Sequence, residues 1–313
     1  MASPVTHDTE HAAPLIGVIG AAIAVSAWGT TGVLIKAIDL DPVAISFYRF
    51  TLYSGVLALV LTLRHRPPGW RALWIAAPGG LLLGGDVVLF FTAVKMTSVV
   101  NATTIGALQP ILVLAIAAKL FSERVSGREI AAAAAAIAGV VVIVTRSSGT
   151  PQWSGTGDLA AIGALFCWTG YFVMAKRAAG KITPSQYTIG TGFWTAVVSL
   201  PVGFIAGQDM SVPDPGQWGD LVILVIVGGL LGHSVMNASL PRIPLWLGSV
   251  MTLLVPVVAS LVAWVALDEA LDTVQVAAIG AVVAGLAVVV LNQQRPTPVT
   301  PPQAPLTSAT DAD

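Results

Sequence analysis

The sequence predicts an all-α integral membrane protein in which ten transmembrane helices form two inverted five-helix repeats. The composition is the first observation behind this prediction: of 313 residues, 55% are hydrophobic and only 10% are charged. A soluble domain carries about 25% charged residues. The second and third observations are a series of apolar runs of membrane-spanning length and a repeat of residue types between the two halves of the chain.

Ten apolar runs approach the roughly 20 residues that an α-helix needs to cross a bilayer. We interpret them as helices because a segment in lipid must satisfy its own backbone hydrogen bonds, and because the alternating pattern of barrel strands is absent. The predicted spans, in chain order, are residues 15–37, 43–63, 72–93, 98–119, 128–146, 157–176, 184–206, 217–239, 242–266 and 273–292.

The second half of the chain repeats the first at an offset of 146 residues. The pairs at this offset include Pro110 with Pro256, Glu123 with Glu269, and Gly139 with Gly285. Nearer the start the offset falls to 140, which pairs Trp28 with Trp168 and Lys36 with Lys176. A nearly constant offset indicates duplication of one folding unit. Because each unit has five helices, the second unit lies inverted relative to the first.

This duplication divides the chain into five parts. Residues 14–147 form the first repeat, with helices one to five, residues 148–156 form an outer loop, and residues 157–292 form the second repeat, with helices six to ten. The tails, residues 1–13 and 293–313, are expected to be disordered because one is polar and the other is rich in Pro and Thr. The first tail contains no Lys or Arg and therefore lacks the charged start of a cleavable signal peptide.

The basic residues predict the orientation, since cytoplasmic loops carry an excess of Lys and Arg. With the N-terminus in the cytoplasm, eleven of the 15 basic residues lie inside, Lys36, Lys95 and Arg146 lie outside, and Arg49 lies within a helix. We therefore expect a protein of the cytoplasmic membrane, in contact with membrane lipid, with both termini in the cytoplasm.

Several kinds of partner and site find no support in the sequence. The net charge of −1 does not indicate nucleic acid, and no GxxxxGK[ST] motif indicates ATP, so no cofactor is expected. Cys167 is the only cysteine and is interpreted as a small buried hydrophobe. His7, His11 and His65 lie in tails or loops, so no metal site is predicted.

Three ionisable residues lie inside predicted spans, where each is costly to place. Arg49 in helix two and Asp86 in helix three lie at similar depths, roughly 10 Å below the same surface at 1.5 Å per residue. An Arg49–Asp86 ion pair is therefore expected, with two interpretations. In one, Arg49 binds a substrate carboxylate and Asp86 binds an amine or a proton. In the other, the pair only locks the two helices together.

His233 lies one residue from the position that the offset assigns to the copy of Asp86. An imidazole gains and loses a proton in the physiological pH range, so Asp86 and His233 are candidates for proton coupling. The alternative is a neutral histidine that is hydrogen-bonded to a helix carbonyl.

Aromatic residues near mid-depth form a further candidate group. Trp28 and Trp168 occupy matching places in helices one and six, and Tyr171 follows one turn later. They are candidates to stack on a substrate, and ordinary packing is the alternative. Five other tryptophans near helix ends are interpreted as residues of the interfacial belt, namely Trp70, Trp74, Trp153, Trp218 and Trp246.

Amides and prolines complete the candidate site. Asn101 and Gln109 in helix four and Asn237, four residues after His233, are candidates for substrate contact or for hydrogen bonds between helices. Pro110 and Pro256 each remove a backbone hydrogen bond and are expected to bend helices four and nine.

Small residues spaced one turn apart predict close approach of helix backbones. These pairs are Gly80 with Gly84, Gly228 with Gly232, Ala135 with Gly139, and Ala281 with Gly285.

Residues 91–144 combine a small-residue segment, Pro110, an apolar helix, Glu123 at a loop and a final helix that contains Gly139. This arrangement, repeated in the second half, resembles the EamA repeat of the drug/metabolite transporter superfamily. The resemblance covers residues 15–292. It implies a ten-helix transporter with a pocket between its halves, of the kind that exports amino acids and other small metabolites. Glu123 and Glu269 are interpreted as loop and cap residues.

We therefore expect a secondary active transporter, not an enzyme, that exports a small polar or zwitterionic metabolite by alternating access. A proton gradient or the substrate gradient alone is the expected source of energy, and the protein is expected to be a monomer or a homodimer. The rival interpretations are a membrane-embedded enzyme acting on a lipid or lipid-linked substrate, which would need a convergent catalytic set, and a channel, which would need continuous polar faces.

Overall fold

The computed structural model describes residues 9–97, 99–147, 154–267 and 270–293, and all regular secondary structure within them is helical. Glu269, Trp153, most of both predicted tails and most of the predicted outer loop lie outside the described residues. The helices are α1 (Thr9–Ala37), α2 (Pro42–Leu63), α3 (Trp70–Met96), α4 (Val99–Gly106), α5 (Gln109–Phe121), α6 (Gly127–Ser147), α7 (Gly155–Ala178), α8 (Pro184–Ile205), α9 (Pro215–Leu224), α10 (Val235–Ser239), α11 (Leu245–Met251), α12 (Leu254–Leu267) and α13 (Thr273–Gln293).

The predicted membrane class and helix order are confirmed. Nine helical segments of the described chain are long and apolar enough to cross a membrane, and a tenth apolar stretch, Leu15–Thr31, lies within α1. The helix α1 begins at Thr9, upstream of the predicted start at residue 15. The other spans begin and end within a few residues of their predicted limits.

The helices begin where the sequence supplies caps. Thr183 and Gln186 form a capping box before α8, and Asp214 and Gln217 form one before α9. Prolines occupy the first turn of several helices, where a missing N–H is tolerated. Pro42, Pro184 and Pro215 are examples.

Two of the ten spans are broken in the middle. The fourth span consists of α4 and α5, separated by a turn at Ala107 and Leu108, and the ninth consists of α11 and α12, separated by a turn at Thr252 and Leu253. Pro110 lies in the first turn of α5 and Pro256 in the first turn of α12. The prolines therefore mark interruptions of these spans, a stronger effect than the bend that the sequence predicts.

The eighth span contains a π-helical segment, Val225–Ser234, between α9 and α10. This segment has wider turns than an α-helix and contains three glycines, which tolerate the altered packing. Single π-helical turns occur frequently at functional sites. No sequence pattern that we identified predicts it.

The seam between α6 and α13 shows the inverted symmetry directly. Each helix begins with a capping box, Ser126 with Glu129 and Asp272 with Gln275, at the repeat offset of 146. Each box also contacts the last turn of the opposite helix. Glu129 accepts a hydrogen bond from Gln293 at 2.5 Å, Gln275 donates one to Ser147 at 3.0 Å, Asn292 donates one to Ser126 at 3.2 Å, and Arg146 forms an ion pair with Asp272 at 3.2 Å.

These contacts come in symmetric pairs, since the offset of 146 residues relates Ser147 to Gln293 and Arg146 to Asn292. Two antiparallel helices are therefore clamped at both ends by equivalent positions. The two inverted five-helix repeats are the architecture of the protein.

Glycines allow the two helices of this seam to touch. A Cβ atom on Gly139 would lie 2.7 Å from Val282 and 3.1 Å from the carbonyl of Ala278. A Cβ atom on Gly285 would lie 2.7 Å from the carbonyl of Ala132 and 3.3 Å from Ala136. The predicted close approach is thus present at both glycines, and again at equivalent positions of the two repeats.

The most extensive of the other helix contacts also cross between the repeats. Helix α3 packs against α7 and α8, α2 packs against α8, and α1 packs against α12 and the π-helical segment. Gly80 and Gly84 of α3 meet Trp194 and Val198 of α8 without room for a Cβ atom. The buried core therefore lies at the interface of the repeats, which places any central cavity between them.

We expect Gly285→Val to destabilise the α6–α13 seam by about 1–3 kcal/mol, because the added methyl groups meet a backbone carbonyl that cannot move independently. Gly280→Val is the matched control on the same helix, since a Cβ atom there meets nothing within 4 Å. Thermal unfolding in detergent measures both. An equal loss of stability in the two variants would contradict the seam.

Candidate functional site

A cavity of about 360 Å³ lies between the two repeats. Five of the nine predicted site residues line it, and they come from α1, α2, α3, α7 and the π-helical segment: Trp28, Arg49, Asp86, Trp168 and His233. The other four, Asn101, Gln109, Tyr171 and Asn237, do not line the cavity. Residues that are far apart in sequence thus meet at one site.

The cavity extends toward one end of the helix bundle. We name the two ends of the bundle the Asp41 end and the Glu123 end, after one residue at each. The Asp41 end contains the α1–α2 and α8–α9 loops, which are joined by a hydrogen bond from Asp209 N–H to Asp41. The Glu123 end is opposite. The lining runs from mid-depth toward the Asp41 end, as far as Ile35 and Phe91.

Arg49 faces the cavity without a counterion among the described residues. Its Nε atom is buried and has no hydrogen-bond partner, and its Cζ atom lies 4.9 Å from the centre of the Phe50 ring. The predicted Arg49–Asp86 ion pair is absent: within the described ranges, the ion pairs join Arg146 with Asp272 and Lys176 with Glu123. The expectation was wrong because two helices at equal depth present their charges at separate points of the cavity wall.

Asp86 also lines the cavity, on the α3 wall, and makes no hydrogen bond or ion pair with any residue that the structure describes. Its neighbour Gly85 lies close to Cys167, whose Sγ atom would be 3.2 Å from a Cβ atom there. An arginine and an aspartate that face one cavity separately leave a cationic and an acidic group available to a bound molecule.

Aromatic rings close the cavity toward the Glu123 end. The Trp28 ring lies 5.2 Å from Trp168 and 5.1 Å from His233, measured between ring centres. The His233 ring is also 5.5 Å from Phe50. These separations are typical of aromatic pairs that stabilise one another. Trp28 presents a buried indole N–H with no partner.

Two glycines of the π-helical segment make room for these side chains. A Cβ atom on Gly228 would lie 3.1 Å from the Arg49 guanidinium, and one on Gly232 would lie 2.4 Å from Nε1 of Trp28. The predicted Gly228–Gly232 pair therefore packs against site side chains rather than against a helix backbone.

Tyr171 and Asn237 stand behind the cavity wall. The Tyr171 hydroxyl donates a 2.8 Å hydrogen bond to Oδ1 of Asn237 and lies 3.4 Å from Nδ1 of His233. Asn237 in turn donates to the Thr188 hydroxyl at 3.0 Å. This buried network orients His233 from the side facing away from the cavity.

Asn101 and Gln109 take positions outside the cavity lining. Asn101 donates hydrogen bonds to Asp158 at 3.2 Å and to Thr97 at 3.3 Å, which ties α4 to the start of α7. Gln109, fully buried, accepts a 3.2 Å hydrogen bond from Thr252. Gln109 thus reaches the cavity only through Thr252.

The helix breaks contribute lining residues that the sequence analysis missed. Gly106, Ala107, Thr252 and Leu253 all line the cavity. The repeat offset pairs Gly106 with Thr252 and Ala107 with Leu253. The sequence signal that could have identified these four residues is the 146-residue offset, applied to the positions just before Pro110 and Pro256. Trp246, expected in the interfacial belt, is instead buried with 1% exposure, while Trp70 and Trp74 are exposed.

A ten-span bundle of two inverted repeats, with a cavity at mid-depth beside broken helices, defines a class of membrane transport proteins. Comparison with known proteins identifies the family within this class. The model of the EamA-like transporter family matches residues 15–145 and 155–291, and the chain belongs to this family.

Named relatives match this chain along most of their length. The chain is 26% identical over 280 residues to a probable amino-acid metabolite efflux pump of Salmonella typhimurium, covering 85% of this chain and 92% of the relative. It is 26% identical to an aromatic amino acid exporter of Ancylobacter novellus, covering 71% and 77%. A solved crystal structure superposes with a TM-score of 0.75 at 25% identity, covering 91% of this chain and 99% of its own.

We expect Tyr171→Phe to lower stability by about 1 kcal/mol while leaving the cavity wall unchanged, because it removes one buried hydrogen bond to Asn237. Trp168→Ala, which alters the wall itself, should impair ligand binding instead. Thermal unfolding and ligand-binding titration separate the two effects. Loss of binding in Tyr171→Phe at unchanged stability would show that Tyr171 contacts the ligand.

Proposed function

We propose that the protein is a secondary active transporter that exports a small zwitterionic metabolite, similar to an amino acid, across the cytoplasmic membrane. The observation that supports this proposal is the pair of charged side chains, Arg49 and Asp86, that face one central cavity without neutralising each other. A zwitterion neutralises both at once.

Arg49 binds the carboxylate of this substrate and Asp86 binds its ammonium group. A charge held in a membrane span costs about 3 kcal/mol or more. A ligand that brings opposite charges removes that cost while it is bound, which favours zwitterions over neutral molecules. Guanidinium groups also offer paired N–H donors that match a carboxylate.

Trp28, Trp168 and Phe50 form the apolar part of the binding site. They surround the volume next to His233. A side chain of moderate size and apolar character fits this part of the cavity.

Export is the proposed direction of transport. In this proposal the Glu123 end and both termini lie in the cytoplasm and the Asp41 end lies outside, which the excess of basic residues at the Glu123 end supports. Two relatives carry names that state efflux or export. The cavity lining extends toward the Asp41 end, and a state with the cavity directed outward is a required step of an export cycle.

Alternating access requires the cavity to open at one end and then at the other. The α3–α8 interface between the repeats is the proposed place of this movement, and the clamped α6–α13 seam stays fixed. Rocking of one repeat against the other moves the access path while the binding residues stay near mid-depth.

Protons are the proposed coupling ions, and Asp86 and His233 are the groups that carry them. Both line the cavity, so a proton and a substrate amine compete for the same space. Binding of one then favours release of the other. The alternative is exchange driven by the substrate gradient alone.

The experiment that tests the proposal is counterflow in proteoliposomes with a panel of amino acids, amines and nucleosides. We expect saturable counterflow of an amino acid, and we expect Arg49→Gln to weaken its binding at least roughly tenfold, the loss of one charge-assisted contact. Arg66→Gln, in the exposed α2–α3 loop, is the matched control and should leave binding unchanged.

Formation of a chemical product from lipid would instead support a membrane enzyme, and unitary currents would support a channel. Equal counterflow by the wild type and Arg49→Gln would remove Arg49 from the binding site.

We expect His233→Gln to abolish accumulation driven by a pH gradient while downhill exchange continues, since glutamine fills similar space but does not take up a proton. Uptake measured with and without an imposed gradient checks this. The matched control is His65→Gln in an exposed loop. Unaltered pH-driven accumulation in His233→Gln would leave Asp86 as the remaining candidate.

A further inference from the structure

Glu123 caps a helix of the opposite repeat. It follows the end of α5 by two residues, and its two carboxylate oxygens accept hydrogen bonds from the first N–H groups of α11, Leu245 at 2.7 Å and Trp246 at 3.0 Å. The first N–H groups of a helix have no partner within the helix. A carboxylate that binds two of them makes strong, charge-assisted contacts. Glu123 thus joins the first repeat to the second.

Lys176 reinforces the same junction from α7. Its Nζ atom lies 3.9 Å from Glu123 and donates hydrogen bonds to the carbonyls of Leu240, at 3.1 Å, and Ile243. These carbonyls belong to the turn that connects α10 to α11. Lys176 therefore holds the segment before α11 while Glu123 holds its first turn.

The far end of α11 is tied to the cavity. Helices α5 and α11 pack side by side, and Gln109, at the start of α5, binds Thr252, directly after α11. Thr252 lines the cavity. The short helix α11 is thus clamped to α5 at both ends, by Glu123 at the Glu123 end and by Gln109 at the cavity.

We propose that α5 and α11 form the gate of the cavity at the Glu123 end, and that Glu123 and Lys176 are the residues that hold it shut. This inference rests on the proposed transport function. The gate lies on the path from the cavity to the Glu123 end, and a ligand that displaces Thr252 from Gln109 weakens the cavity-side clamp. Opening then requires only that Glu123 and Lys176 release α11 and the turn before it.

The position of the two residues makes this junction reversible. The Glu123 and Lys176 side chains are 13% and 19% exposed, so they lie at the margin of the bundle. Water solvates both the Glu123 carboxylate and the Lys176 ammonium group when their contacts separate, so neither charge is left in lipid without a partner. A contact of the same type at mid-depth would leave unpaired charges and could not open at low cost.

Glu129 provides the comparison at the same end. It caps its own helix through Ser126 and contacts Gln293 on the glycine-packed α6–α13 seam. It makes no hydrogen bond to α11 in the described chain. Loss of its carboxylate should weaken a static seam without opening the cavity, which makes Glu129→Gln the matched control.

The test measures access to Ser249, a fully buried residue of α11 between the two clamps. Ser249→Cys is introduced together with Cys167→Ser, so that it is the only thiol. A membrane-impermeant maleimide is added to inverted and to right-side-out membrane vesicles. We expect slow labelling with Glu123 intact, and roughly tenfold faster labelling from the Glu123 side in Glu123→Gln, a factor equivalent to about 1.4 kcal/mol.

Glu129→Gln should label at the unaltered slow rate, and Lys176→Met should also accelerate labelling from the Glu123 side. Thermal unfolding in detergent verifies that each variant is folded, and Lys176→Met supplies the result if Glu123→Gln does not fold. Equal labelling rates in the parent and in folded Glu123→Gln or Lys176→Met would overturn the gate, as would equal acceleration by Glu129→Gln.

This assay contains no substrate, so its outcome is separate from that of counterflow. Normal counterflow with unaltered labelling rejects the gate and keeps the transporter. Accelerated labelling without counterflow of any tested compound supports the gate and rejects the proposed substrate class.

Discussion

Backbone polar groups within a bilayer must be satisfied inside the protein, and this constraint governs the whole architecture. It requires helices for every span and allows an interruption only where protein or a cavity covers the freed groups. The described chain interrupts its fourth and ninth spans at equivalent places, and residues of both turns line the cavity. The breaks, the prolines that follow them and the site are thus consequences of one constraint. The α6–α13 seam contrasts with these interrupted spans. It is rigid, because its glycines bring two continuous helices into direct contact.

Charged groups outside the cavity differ from those inside it in whether they have partners. Outside the cavity, several charges are paired or hydrogen-bonded: Arg146 meets Asp272, Lys176 meets Glu123, and Asp158 accepts hydrogen bonds from Thr97 and Asn101. In the cavity, Arg49 and Asp86 remain without partners among the described residues. Charges that have no partner within the protein can be neutralised by a bound ligand of opposite charge. This contrast is the physical basis of the proposed substrate class.

Sequence reasoning predicted more of the fold than of the site. The apolar runs and the 146-residue offset predicted ten spans in inverted repeats, because the length of an apolar segment and the spacing of a repeat can both be read from the sequence. Of the candidate residues, the three intramembrane ionisable residues and the two mid-depth tryptophans line the cavity. In contrast, Asn101, Gln109, Tyr171 and Asn237 hold helices or neighbouring side chains in place. Polarity alone does not distinguish these roles, because a buried amide serves equally well as a ligand contact or as a bond between helices.

The sequence by itself determined the membrane class, the helix order and the repeat, since each depends on composition or spacing along the chain. Its resemblance to the EamA repeat indicated the family. Only the tertiary structure decided that Arg49 and Asp86 stand apart, that Trp246 is buried and that Glu123 caps a helix of the other repeat. These facts depend on how helices rotate about their axes and which partners they meet. A rotation of a few tens of degrees moves a side chain from lipid to cavity without altering any sequence pattern.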